Sequence, residues 1–214
     1  MNICIPETAR DEIYYLNDLM ERRPTLLPLK QTIFSAFQIL KQSYQNGGKL
    51  LVCGNGGSAS DADHIVGELM KGFRLLRPLP EKERSLFGSY ADRLQGALTS
   101  ISLTQHTALS TAFSNDMDSE MVFAQQVYGY GTSGDVLLAI STSGNSRNVI
   151  HAVHIAKAKK MSVLSLTNQD GGELLSLSDI CINVPSAMTA EVQELHLPIY
   201  HTLCSMLEAY FFIS

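Results

Sequence analysis

The sequence predicts an α/β fold: a doubly wound, five-stranded parallel sheet flanked by helices, with an N-terminal helical extension. Three observations carry that expectation. Runs of strand length recur at Leu50–Cys53, Asp135–Ile140, Ser162–Thr167 and Asp179–Val184, and the first two are apolar and continuous rather than alternating. Such runs suit strands covered on both faces, as in parallel sheets. Segments of helical periodicity separate them, the alternation expected of βαβ units. Two of the runs end in a turn rich in glycine or serine, Gly54–Ser58 and Ser141–Ser146. In open parallel sheets, ligands gather at that end of the strands.

The elements follow in order. Pro6 to about Arg22 reads as a helix, with Ile13, Leu16 and Met20 on one stripe, and Pro24 and Pro28 interrupt it. A second helix spans Leu29–Asn46, with Ile33, Phe37, Leu40 and Tyr44 at helical spacing, and Gly47-Gly48 ends it. Residues 1–48 thus form the helical extension, free to pack on the same domain or on a partner subunit. After the first strand, a helix runs from about Ala59 to Lys71, with Ser58 or Ser60 as its predicted cap. Arg74–Gln95 holds two prolines, a charged cluster and few apolar residues. It reads as a long excursion with a short helix near Ser89–Leu94, the kind of loop that is usually functional or mobile.

Gly96–Leu103 is the second predicted strand. A helix over His106–Phe113 follows, then Ser114-Asn115-Asp116 as a turn or cap, then a helix over Met117–Tyr128. The strand Asp135–Ile140 leads through its polar turn to a helix over Arg147–Lys160. The strand Ser162–Thr167, a short helix over Gly171–Leu177 and the strand Asp179–Val184 complete the sheet. The last helix spans Ala187–Phe212, and Pro198 predicts a kink in it.

Composition narrows the function. The chain has 214 residues, 45% of them hydrophobic, enough for one well-filled domain. A net charge of −5 argues against a nucleic-acid surface. No apolar run approaches the roughly 20 residues that span a bilayer, and the start carries Glu7, Asp11 and Glu12 rather than a basic-then-apolar leader. Cys4, Cys53, Cys181 and Cys204 are scattered without a CxxC, which suits reduced thiols in a cytoplasmic protein.

The chemistry-bearing residues cluster by type. Gly54, Gly56 and Gly57 let the backbone turn sharply and approach a ligand closely, and the helix start beside them is an anion site in waiting. Ser141, Thr142, Ser143 and Ser146 add four hydroxyls, which suit a phosphate monoester. With no lysine in either loop and no GxxxxGK[ST], a nucleotide P-loop is not expected. His64 and Glu68 lie four apart and share one helical face. Gln193, His196 and His201 lie on the last helix. Taken alone, these histidines read most simply as packing or surface residues, and Asn115 and Asp116 as a helix cap.

The segments CGNGGSASDADHIVGEL, ISTSGNSRNVI, LTNQDGGEL and VQELHLPIYH together resemble the sugar isomerase (SIS) domain family, from about Lys49 to the C-terminus. Residues 49–214 would then be the SIS domain. The combination of CGNGGS, His64, Glu68, Gln193 and His201 resembles most the family's heptose phosphate isomerases. These interconvert sedoheptulose 7-phosphate and D-glycero-D-manno-heptose 7-phosphate. The resemblance implies Glu68 and His201 as catalytic acid and base. It implies Ser58, Ser141, Thr142, Ser143 and Ser146 on the phosphate, with Asn55, Gly56, Gly57, Asn115, Asp116 and Gln193 also at the substrate. It implies a zinc ion held by His64, Glu68, Gln193 and His201, and no nucleotide or redox cofactor. It implies a homotetramer with sites at subunit boundaries, Glu68 and His201 of one site coming from different chains.

There are departures. Ala59 stands where some members have His, Ala190-Glu191 replaces an Asp-Arg, and the 74–95 stretch is longer than the usual link. Two alternatives therefore stand beside the main expectation. One is a non-catalytic SIS regulator that binds a protein partner, whose pattern lacks the acid at 68 and the imidazole at 201. The other is an isomerase of a different phosphosugar.

Overall fold

The computed structural model describes residues 10–213. Its five strands are β1 (Leu50–Gly54), β2 (Ser100–Ser102), β3 (Val136–Ile140), β4 (Ser162–Thr167) and β5 (Ile180–Asn183). All four pairings are parallel and the spatial order is β2-β1-β3-β4-β5. The doubly wound parallel sheet expected from the sequence is present.

The helices are α1 (Glu12–Arg22), α2 (Lys30–Gln45), α3 (Gly57–Met70), α4 (Glu81–Phe87), α5 (Thr107–Asp116), α6 (Val122–Tyr130), α7 (Arg147–Ala158), α8 (Leu174–Leu177) and α9 (Thr189–Phe212). Residues Pro6–Ala9 of the first predicted helix, and Cys4, lie outside the described residues. Cys53, Cys181 and Cys204 are free thiols. Among the described residues, no helix is long and apolar enough to cross a membrane.

The strand side chains divide by parity between two cores, as the two-residue period requires. Leu50, Val52, Leu138, Ile140 and Leu166 pack with α1, α2, α3 and α9. Leu51, Cys53, Leu137, Ala139 and Val163 pack with α6, α7 and α8. Ile33, Ala36 and Phe37 of α2 are fully buried in the first core, and α1 adds Leu16 and Leu19. Within the same chain, α2 therefore lies over the sheet and α1 packs against α9 and α2.

Since β1 leads away to β2 on one side while β3 lies on the other, the strand order reverses between β1 and β3. The crevice at such a switch point is the usual ligand site of an open α/β sheet. The two polar turns after β1 and β3 flank it.

Several boundaries differ from the sequence reading. In the 74–95 excursion, the helix is α4 at Glu81–Phe87, and Ser89–Leu94 falls instead on a tight 3-10 run over Gly88–Arg93. Glu81 and Glu83 in its first turn complement the helix dipole, and Gly88 at φ +54° stops it. The charge that suggested a coil is what this exposed helix is made of. Asn115 and Asp116 are the last residues of α5 rather than a turn after it. Neither Ser58 nor Ser60 caps α3: Gly56 precedes its first residue, and no side chain caps it. Through Pro198, α9 continues unbroken.

Candidate active site

β1 ends at the glycine turn, and α3 leaves it carrying most of the candidate chemistry. A Cβ at Gly57 would sit 2.5 Å from Nε2 of Gln193, so the glycine lets that side chain lie against the turn. α3 and α9 run side by side in the same sense. Gln193 meets the start of α3, Tyr200 meets Asp61 and His64 midway, and Glu208 meets the chain beyond its end.

The imidazoles and the carboxylate come together within one chain. His64 Nε2 lies 3.2 Å from Glu68 Oε1 and 3.3 Å from His201 Nε2. Glu68 Oε2 accepts a 2.7 Å bond from Lys71 Nζ. Glu68 and His201 thus both reach one nitrogen of His64, and their pairing needs no second chain. Phe73 packs its ring 5.3 Å from that of His201. Burial holds His201 below the ordinary imidazole range, His64 and Arg74 add to this, and Glu68 opposes it. His201 is therefore neutral at neutral pH, with one ring nitrogen to donate and one to accept.

At the other end of α3 lie the two turns. Ser58 is buried in its first turn. Ser141 and Ser146 share a 2.9 Å hydrogen bond between their hydroxyls, and Ser143 Oγ accepts from the Asn145 amide. The Thr142 carbonyl accepts from the Asn168 amide, which ties the loop to the end of β4. Ser146 stands at the start of α7, but no side chain caps that helix either. Of the first-turn N–H groups, those of Ser58 and Ala59 bond the Asn55 and Gly56 carbonyls and that of Val149 bonds Asn148 Oδ1, which leaves those of Gly57, Arg147 and Asn148 placed for a ligand. Asn55 and Asn148 exchange two 2.9 Å amide bonds across the crevice. With Ser119, Glu120, Ser146 and Arg147 they line a cavity of about 360 Å³.

The remaining candidates are placed less centrally. Gln193 lies at the loop end of α3, with the residues assigned to substrate, and has no hydrogen bond to the imidazoles. Asn115 and Asp116 are exposed and bond each other at 2.9 Å. His196 is buried and its Nε2 meets the Thr167 carbonyl at 3.3 Å, so it is a core residue.

Sequence reading missed Asp61, Lys71, Asn148 and Tyr200. Asp61 lies three residues before His64 on α3, and Lys71 three residues after Glu68, just past the helix end, so spacing alone marks them. No local signal marks Tyr200, which is brought in by α9.

For zinc, the donor chemistry fits His64, Glu68 and His201, and the two spacings of 3.2 and 3.3 Å match those between ligands of a tetrahedral ion with bonds of about 2.0–2.1 Å. Yet among the described residues no three His, Cys, Asp or Glu side chains form a group arranged to hold a metal. Lys71 takes the second oxygen of Glu68.

Comparison with known proteins agrees with the geometry. A family model described as SIS domain matches residues 15–168. A phosphoheptose isomerase of Laribacter hongkongensis is 40% identical, over 91% of this chain and 92% of its own. One from Helicobacter pylori is 42% identical, over 86% and 90%. The solved phosphoheptose isomerase of Francisella tularensis superposes with a TM-score of 0.73 at 32% identity, over 92% of this chain and 95% of that one. That of Neisseria gonorrhoeae gives 0.71 at 34%, over 92% of each. The chain belongs to the SIS domain family and is an enzyme, an isomerase of the aldose–ketose type.

Proposed function

We propose that this chain interconverts sedoheptulose 7-phosphate and D-glycero-D-manno-heptose 7-phosphate, with Glu68 and His201 as acid and base. The observation that carries the reading is the convergence of Glu68 and His201 on one nitrogen of His64, on the helix whose start opens the hydroxyl-lined crevice. Ketose–aldose isomerisation needs a base, an acid and stabilisation of an enediolate. The Glu68 carboxylate takes the proton from C1 of the ketose and returns it to C2. Neutral His201 gives a proton to the oxygen on C2 as one leaves the oxygen on C1. The N–H groups and hydroxyls at the two helix starts hold the phosphate.

Length supports a long sugar. Ser58 and Glu68 are ten residues apart on α3, or about 15 Å along its axis. The Glu68 side chain leans back toward the helix start and shortens the gap. An extended chain advances about 1.2 Å per bond, so C1 to phosphorus of a heptose 7-phosphate spans roughly 10 Å, against about half that for a triose phosphate. A panel of three- to seven-carbon ketose phosphates, followed by NMR, tests the assignment. Turnover of the seven-carbon substrate is expected, and turnover of shorter sugars alone would overturn it.

Ser143→Ala combined with Ser146→Ala should weaken substrate binding more than it slows the chemistry. Each hydroxyl lost from a charged phosphate is worth about 1.5–3 kcal/mol. KM should rise steeply with kcat little changed, and an unphosphorylated heptulose reacting as well as the phosphate would end the cradle assignment.

Zinc belongs to the same reading, with His64, Glu68 and His201 as its donors. When bound it would polarise the substrate carbonyl. Dialysis against a strong chelator should then lower activity, and added zinc should restore it. Full activity in protein shown metal-free by elemental analysis would remove the ion from the reaction. The reading also carries a homotetramer, supported by apolar side chains such as Leu86, Tyr90, Met117 and Met188 standing exposed on the single chain. An active species sedimenting as a monomer would refute that.

A further inference from the structure

Behind His64, on the side away from Glu68, stands a polar pair with no part in the reaction above. Tyr200 Oη donates to Asp61 Oδ1 at 3.1 Å, and the same oxygen meets His64 Nδ1 at 3.1 Å. Among the described residues, Asp61 Oδ2 is buried with no partner, and the hydroxyl is the only donor to that carboxylate. Tyr200 is 1% exposed, and its ring packs edge-on against both His64 and His201, at 5.5 and 5.0 Å.

A phenol has one proton to give. With that proton committed to Asp61, the oxygen can only accept from His64. Which ring nitrogen of a histidine works is set by the bond that the other makes.

We propose that Asp61 and Tyr200 are positioning residues that keep the proton of His64 on Nδ1 and so leave Nε2 unprotonated, an acceptor for a proton or a ligand between Glu68 and His201. The Tyr200 ring fixes the angle of the imidazole, and the hydroxyl fixes its tautomer. Without the pair, the ring is free to flip or to carry its proton on Nε2, and the nitrogen that Glu68 and His201 share would be changed. This rests on the isomerase reading for its consequence, though not for its geometry.

The test is Tyr200→Phe, which keeps the ring and removes the hydroxyl. In ¹⁵N spectra of the protein as purified, the His64 signals, assigned by their loss in His64→Gln, should show a protonated Nδ1 whose hydrogen exchanges slowly with solvent. In Tyr200→Phe that exchange should quicken, and kcat should fall about 10- to 100-fold, the usual cost of losing an orienting partner, with KM within about threefold. Should that variant fail to fold, Asp61→Asn serves in its place, with faster exchange and a smaller loss of kcat expected. A parent whose His64 Nδ1 carries no proton would overturn the inference, as would full kcat in the folded variant. A parent that isomerises no phosphosugar would instead sink the functional reading, leaving the tautomer legible in the same spectrum.

Discussion

Glu68→Gln should leave the fold intact and abolish isomerisation. The amide keeps the shape of the carboxylate but cannot take a proton from carbon, and losing a general base typically costs about 10²–10⁴-fold. The structure gives reasons to expect a clean result. The Glu68 side chain is 14% exposed and lies at an accessible cluster rather than deep in either hydrophobic core. One partner, Lys71, is itself half-exposed on the surface, so its ion pair contributes little to stability. The other, His64 Nε2, can still meet the amide. Loss of activity with unchanged thermal unfolding is therefore expected. Turnover within a few-fold of the parent would remove Glu68 from the base role and leave His201 to be tested in its place.

The fold was legible because its signals are local. Continuous apolar strands and glycine turns need no tertiary knowledge, and β1, β3 and β4 formed where those runs lie. The edge strand β2 is the weakest case. Only Ser100–Ser102 pairs with β1, whereas the apolar pattern extends from Gly96 to Leu103. Residues before Ser100 spend their backbone amides elsewhere, Gly96 on the Arg77 carbonyl and Leu98 on the Leu69 carbonyl.

The site was legible in the same unequal way. His64 and Glu68 declare each other by spacing on one helix, and Ser141–Ser146 declares itself by composition. What sequence could not give is the register between α3 and α9, because no periodicity within one helix fixes its offset against another. That register decides that His201, and not Gln193, reaches His64. It also brings in Tyr200, whose pattern on α9 is that of any core aromatic.

The same register reaches the 74–95 excursion, and there the largest stability effect is expected. Prolines and charges suggested a loose loop, but its first residues are pinned. Arg77 and Glu208 form a 2.8 Å ion pair with side chains 0% and 1% exposed. Glu208 also accepts from the backbone amides of Phe73, Arg74 and Leu75, at 2.8, 2.8 and 3.2 Å. Arg77 donates to the carbonyls of Leu69 and Glu68, at 2.8 and 3.1 Å, and so closes the end of α3.

Breaking a buried pair strands the surviving charge and costs about 3–5 kcal/mol. The two partners differ in what they leave behind. Arg77→Met leaves Glu208 with its backbone amide donors. Glu208→Ala leaves a buried guanidinium and also orphans those amides, so it should be the worse of the two. Glu208→Ala should lower stability by about 3–5 kcal/mol in urea titration, or roughly 6–20 °C in Tm for a chain of this size. The loss in Arg77→Met should be smaller, and the double variant should fall short of the sum because the two groups share one network. Because Phe73 packs on His201 and the Glu68 carbonyl is held by Arg77, activity at low temperature should fall along with stability. A Glu208→Ala protein within about 1 kcal/mol of the parent would show that the ion pair and its amide bonds do not hold the excursion against α9.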